Sequence, residues 1–237
     1  MSKAKYHRIL LKLSGEALSA KDGHGIDFDK ALTVCQNIKE CVELGVQVGI
    51  VVGAGNFWRG RQGTGMDKTR ADHMGMLATM LNCIALKDTF DRIGVDAVVL
   101  SAISMPQIAP TYSRDKAVYE LNRGKVTIFG CGTGNPFFTT DTAAVLKAVE
   151  INADIALLAK NVDGVYTADP NKDSQAKRYD HISYDALLHN HLKVIDATAA
   201  ALCQDNDLPV LLFALGDGSN IVKAVKGEDI GTVLNNG

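Results

Sequence analysis

Short runs rich in Val, Ile and Leu alternate along the chain with longer segments whose apolar residues recur every three or four positions. Runs of the first kind suit buried strands and segments of the second kind suit helices with one face on a core. Their alternation predicts βαβ units around a mainly parallel sheet, and hence an α/β fold. Strands are predicted over 8–13 (RILLKL), 46–52 (VQVGIVV), 95–101 (VDAVVLS), 125–129 (KVTIF), 153–159 (ADIALLA) and 209–215 (PVLLFAL), with a short terminal strand around Thr232. A helix over 28–44 places Phe28, Leu32, Cys35, Ile38 and Val42 on one face, with Asp27 as its N-cap and Gly45 just past its end. The segment 72–93 carries Met76, Met80, Ile84 and Phe90 at helical steps, and further helices are expected over 141–152, 183–190, 196–205 and from Ser219. No repeat or low-complexity linker interrupts the pattern, so a single domain over 1–237 is the expectation.

A chain of 237 residues buries a core without disulfides or metals. With 25 Lys and Arg against 27 Asp and Glu, the formal charge is -2, which offers no basic surface for nucleic acid or an anionic membrane. Any anion must therefore be held locally. Cys35, Cys41, Cys83, Cys131 and Cys203 are scattered among apolar neighbours without a C-x-x-C pair, which predicts buried, reduced thiols and no zinc site. The N-terminal apolar stretch is broken by Lys12, and no run has the length of a membrane span. A soluble cytoplasmic protein is expected.

Four predicted strands run into loops of small or polar residues: KLSGE (12–16), GAGNFWRG (53–60), GCGTGNPFFTTD (130–141) and AKNVDGVYTADP (159–170). In an open parallel sheet such loops converge beyond the carboxyl ends of the strands, where helix N-termini also point their amides. Gly130, Gly132 and Gly134 would let backbone approach a ligand closely, and Thr139 and Thr140 offer hydroxyls where the next helix presents unpaired N–H groups, which together would make a phosphate cradle. Other roles stay open at this point. Phe137 and Phe138 suit either the wall of a base or a place in the core, Asp141 suits a helix cap, and Asp72 suits a cap with His73 beside it packed or solvated. Lys12, at the end of a buried strand, needs an anionic partner or an exit to solvent. Arg59 suits a bidentate phosphate contact or a surface ion pair.

Several plans are absent: there is no G-x-x-x-x-G-K-[ST], no G-x-G-x-x-G at 130–134, no H-R-D or D-F-G and no G-x-S-x-G. Anion loops, a strand-end lysine, an arginine and several aspartates fit phosphoryl transfer, with Mg²⁺ bridging the phosphates and needing few protein carboxylates.

The segments LLKLSGE, VVGAGN, DHMGMLAT, GTGNPFFTTDTAA and VDGVYTADP, in this order and spacing, resemble the bacterial uridylate kinase branch of the amino acid kinase family over nearly the whole chain. The resemblance implies a three-layer αβα sandwich, transfer of the ATP γ-phosphate to UMP, and a homohexamer. It implies ATP contacts from Lys12, Leu13, Ser14, Gly15, Gly55, Arg59, Asn161, Tyr166 and Asp169. It implies UMP contacts from Ala54, Asp72, Thr133, Gly134, Asn135, Pro136, Phe137, Phe138, Thr139 and Thr140. Ala54 stands where relatives often carry glycine, a change that a backbone contact survives. GTP activation and UTP inhibition belong to the same resemblance, with Ala20, Lys21, Asp22, Gly23, His24 and Gly25 in the region tied to GTP and UTP placed in the UMP site. Lys12 is expected to stabilise charge on the transferred phosphoryl, Asp141 to orient a lysine or the Mg²⁺ shell, and Asp196 to help position Lys12. The rivals are a carboxylate kinase of the same family, against which GNPFFTTD argues, and a non-catalytic uridine-nucleotide sensor.

Overall fold

In the computed structural model, residues 3–58, 65–168, 172–173, 175–190, 192 and 194–237 are described. Strands β1 (Arg8–Leu13), β2 (Gln47–Val52), β3 (Ala97–Ser101), β4 (Val126–Gly130) and β5 (Ile155–Lys160) form the larger part of an eight-stranded sheet. With β8 (His181–Ser183), β9 (Val210–Ala214) and β10 (Gly231–Asn235) the strand order is β3-β4-β2-β1-β5-β9-β10-β8. From β3 through β9 every pairing is parallel; β10 runs antiparallel to β9 and carries β8 alongside. The chain winds from β1 to β2 on one side and returns at β5 on the other. That reversal opens a crevice beyond the carboxyl ends of the central strands.

Side chains alternate across β1, and the two faces feed separate cores. Ile9, Leu11 and Leu13 pack with buried residues of α1 (Phe28–Glu43), α2 (Lys68–Arg92) and α7 (Ser219–Lys226). Leu10 packs on the opposite face with α3 (Arg114–Asn122), α4 (Thr140–Glu150), α5 (Tyr184–His189) and α6 (Ala197–Asp205). The result is a three-layer αβα sandwich, and it puts Lys12, in phase with Leu10, on the α4 side of the sheet. All five cysteines are free and buried. Burial pushes the Cys35, Cys41 and Cys203 thiols up to about 12, which keeps them in the unreactive thiol form.

Several boundaries differ from the sequence expectation. Helix α2 begins at Lys68, capped by the Asp67 carboxylate on the Arg70 amide, so Asp72 lies inside the helix and is not its cap. Helix α4 is capped by Thr139, not by Asp141. The buried face of α1 is Ala31, Val34, Cys35, Ile38 and Cys41; Phe28, assigned to that face by spacing, is exposed under the Arg92 guanidinium. Ile84 is likewise exposed, whereas Met76, Met80 and Phe90 are buried as expected. Helix α3 went unpredicted because it buries only Ala117 and Leu121, too few to set a period. The two-residue strands β6 (Val165–Tyr166) and β7 (Arg178–Tyr179) are too short to show alternation.

Candidate active site

The four glycine-bearing loops meet at the carboxyl edge of the sheet. The Gly53 amide donates to the Leu13 carbonyl at 2.9 Å. A Cβ added to Gly15 would lie 2.5 Å from Asn56 Oδ1 and 2.6 Å from the Gly55 nitrogen, so only glycine lets these two loops touch. Asn161, after β5, donates to Glu16 at 3.0 Å and brings in the third loop. The fourth arrives through α4, whose Thr140 hydroxyl lies next to Gly53.

At the centre stands Asp141, with 13% of its side chain exposed, between two ammonium groups. Lys12 Nζ lies 3.1 Å from Oδ1 and Lys160 Nζ lies 2.6 Å from Oδ2, and Lys160 also donates to the Val194 carbonyl. Burial alone would raise the Asp141 pKa, but Lys12 and Lys160 outweigh it and hold the carboxyl below its ordinary 3.8. Lys12 thus finds its anionic partner within the chain, and it does not snorkel away. Two cations around one carboxylate leave positive charge directed at whatever enters the crevice. Lys160, the last residue of β5, belongs to this centre. Asn161 faces the cavity beside Glu16.

On one side of the centre is a cavity of about 320 Å³ walled by Ala54, Gly55, Asp72, Thr133, Asn135, Phe138, Thr139 and Thr140, joined by Trp58, Met76, Thr79 and Gly132. Seven of the ten residues expected to meet UMP line it. Gly134, Pro136 and Phe137 do not; they shape its loop. Gly134 has φ 79° and Phe137 φ 71°. The left-handed Phe137 is held by Asp72, whose carboxylate accepts its amide at 2.8 Å, while Lys68 lies over the exposed ring. Phe137 and Phe138 are 60% and 51% exposed, which removes the core-packing alternative for both. Gly55, expected beside ATP, is in the wall of this same cavity.

Thr139 behaves differently from the sequence expectation. Its hydroxyl accepts the Asp141 and Thr142 amides at 3.1 and 3.2 Å and donates to Asp196, so those two helix N–H groups are already paired. Asp196 in turn accepts from the Thr142 hydroxyl and the Ala199 amide. Its tie is to the start of α4 and not to Lys12, contrary to expectation.

Two more hollows lie on the other side, both walled by Lys160. One, about 500 Å³, sets Asp141 and Asp196 beside Leu187, Leu188, Leu192, Val194 and Ile195. The other, about 670 Å³, runs between Glu16, Lys30, Asn161 and the Gly216–Gly218 turn. Leu13 is buried in the core, leaving only its backbone to face a ligand, and Ser14 caps the short 3-10 turn Gly15–Leu18. Tyr166 donates its hydroxyl to Asp163 at 3.0 Å. Arg59 and Asp169 lie outside the described residues. In the 20–25 segment the Gly23 amide donates to the Ala20 carbonyl and the His24 amide to Asp22, and Gly23 and Gly25 have positive φ.

Sequence reasoning missed Lys160 as a member of the centre, Trp58 and Thr79 as walls, and the buried Asn82. A polar amide inside the apolar run MLNCIAL was the available signal for Asn82.

The architecture is shared with known proteins. A UMP kinase structure from Bacillus anthracis superposes with a TM-score of 0.94 at 35% identity, covering 98% of this chain and 96% of that one. A UMP kinase from Ureaplasma parvum gives 0.93 at 37% identity, covering 100% of both chains. A uridylate kinase from Archaeoglobus fulgidus gives 0.73 at 31% identity, over 95% of this chain and 99% of that one. The model of the amino acid kinase family matches residues 7–214, and on these grounds the chain belongs to the amino acid kinase family.

Proposed function

We propose that the chain is a UMP kinase that transfers the γ-phosphoryl group of ATP to UMP, giving UDP and ADP. The observation that carries this reading is the Lys12–Asp141–Lys160 cluster, set between the GNPFFTTD cavity and the two hollows that share Lys160. The UMP kinases of B. anthracis and U. parvum, alike over the whole chain, support the choice of acceptor. UMP sits in the GNPFFTTD cavity, and ATP enters from the Lys160 side. A phosphate oxygen of UMP attacks the γ-phosphorus as the bond to the β-phosphate oxygen breaks and ADP leaves. Lys12 and Lys160 counter the charge spread over the phosphoryl oxygens, and Asp141 holds the two ammonium groups in place.

Among the described residues no three His, Cys, Asp or Glu gather to hold a metal. Asp141, ion-paired to Lys12 and Lys160, is the carboxylate of this centre that would meet a water of an Mg²⁺ ion arriving on the nucleotide phosphates. Bound there, Mg²⁺ would neutralise phosphate charge. Lys12, Ser14 and Gly15 serve the donor phosphates, with Asn161 and Tyr166 towards its nucleoside; Asp72 and the loop from Thr133 to Thr140 serve the acceptor. GTP acting through residues 20–25 and UTP in the acceptor cavity are the proposed effectors. No helix among the described residues is long and apolar enough to cross a membrane; a cytoplasmic location is part of the proposal. One sheet running from Arg8 to Asn235 supports a single domain.

Measured ADP release with UMP, CMP, glutamate or no acceptor tests the assignment. Release is expected to depend on UMP. Dependence on glutamate would assign a carboxylate kinase, and UMP binding without release a sensor.

Self-association, within the proposed homohexamer, is supported by the middle turns of α2, which are apolar on the outer side as well as the inner one. Met74, Leu77, Leu81 and Ile84, at helical spacing, are each at least 40% exposed. A helix apolar all round is ordinarily covered, and a second copy of the chain is the proposed cover. The double variant Leu77→Glu, Leu81→Glu is expected to sediment at lower mass than the wild type. Unchanged mass would remove α2 from the assembly face.

A further inference from the structure

Behind the two glycine loops lies a closed pair of amides that line none of the three cavities described above. Asn56, in the loop after β2, and Asn82, in the middle of α2, are both fully buried. Asn56 Nδ2 donates to Asn82 Oδ1 and Asn82 Nδ2 donates back to Asn56 Oδ1, each at 2.8 Å. The second N–H of each amide is also used: Asn82 donates to the Gly53 carbonyl and Asn56 to the Gly25 carbonyl, again at 2.8 Å. The Gly25 amide returns a bond to the Asn56 carbonyl at 2.9 Å. Asn56 Oδ1 also packs against Gly15 so closely that a Cβ there would fall 2.5 Å away.

Burying two amides is unfavourable unless every polar atom is paired. Here four donors are satisfied, and they join three segments, the β2 loop at Gly53 and Asn56, the end of the 20–25 segment, and α2, while Asn56 Oδ1 packs against Gly15 of the β1 loop. An apolar pair of similar size would fill the space but fix none of these backbone groups. Hydrogen bonds give the pair direction as well as bulk.

We propose that Asn56 and Asn82 form a positioning unit that sets the spacing between the β1 and β2 loops, and so the alignment of the two nucleotides whose phosphates those loops serve. The proposal rests on the kinase assignment above. Each loop binds through its own backbone, so loosening the pair leaves binding nearly intact and spoils alignment. Misplacement of about 1 Å costs about 10²-fold in rate.

The test is steady-state kinetics of Asn82→Ala, Asn56→Ala and the double variant with ATP and UMP, assayed well below each melting temperature. Turnover is expected to fall about 10- to 100-fold in either single variant while the KM values change less than about 3-fold. The double variant is expected to be no slower than the worse single one, because removing either partner already breaks the unit. Folded single variants with wild-type kcat, or single losses that multiply in the double variant, would overturn the proposal. Should Asn82→Ala fail to fold, Asn56→Ala and Asn56→Ser break the same pair from the loop side and are judged on the same split. Wild-type protein that releases no ADP with UMP would instead defeat the kinase assignment. The pair would then be judged on nucleotide affinity: unaltered UMP binding in a folded variant with unaltered hydrogen exchange in residues 53–58 would overturn it separately.

Discussion

Lys12→Ala is expected to lower kcat for UMP by about 10²–10³-fold, the range seen when one preorganised group facing developing charge is removed. Lys12 is the penultimate residue of a central strand, between Leu11 and Leu13, which are fully buried, and only 12% of its side chain is exposed. An ammonium so placed is held by Asp141 at 3.1 Å, at the carboxyl end of a strand that runs directly into the first glycine loop. It needs no reorganisation when charge spreads onto the phosphoryl oxygens, so its effect falls on the chemical step more than on binding. The UMP KM should therefore move much less than kcat. Folding should survive, because Asp141 keeps Lys160 at 2.6 Å. Near-normal turnover of folded Lys12→Ala in the ADP-release assay would remove the role. A large rise in KM at constant kcat would recast Lys12 as a binding residue.

The sequence carried the sheet and the loops because both are local signals. Six buried strands read as apolar runs, and the glycines that bring loops together stand next to the strands that deliver them. Pairings across the chain were beyond it. Asp72 looked like a cap because a cap is what an aspartate near a helix start usually is. Its actual partner, the Phe137 amide, lies 65 residues away and is presented only because Phe137 adopts a left-handed backbone. Lys160 and Asp141 are 19 residues apart, on a strand and a helix whose packing no periodicity reports. Asp196 was expected to help position Lys12, whereas its oxygens are occupied by Thr139, Thr142 and the Ala199 amide. Helix faces failed in a related way. Phe28 and Ile84 fit the spacing but face outward, since apolar spacing marks a side of a helix without saying whether the core or another surface covers it.

Asp141→Asn is expected to lose activity and stability together, and pH separates its charge from its shape. The amide keeps the volume but leaves Lys12 and Lys160 facing each other without the anion between them. Removing one partner from a buried ionic group costs about 3 kcal/mol, the low end of the usual range because both lysines retain a path to solvent. Turnover should fall about 10²-fold as the two ammonium groups separate and the phosphoryl contacts lose alignment. A cap alone would predict neither, since the N-cap of α4 is Thr139. The sign of the pH effect follows from the carboxyl being held below its ordinary 3.8: burial opposes this, and Lys12 and Lys160 prevail. The stability that the ionised group contributes is therefore complete above that value and fades as pH falls through the lower folded one. Urea unfolding of wild type and Asp141→Asn should show a gap that is constant from neutral pH to about pH 5 and narrows below the unfolded value. A gap that stays the same down to pH 3 would mean that the lysines do not hold the carboxylate in its charged form. The positive centre would then lose its anchor, and with it the reason for Lys12 to point where a phosphoryl group passes.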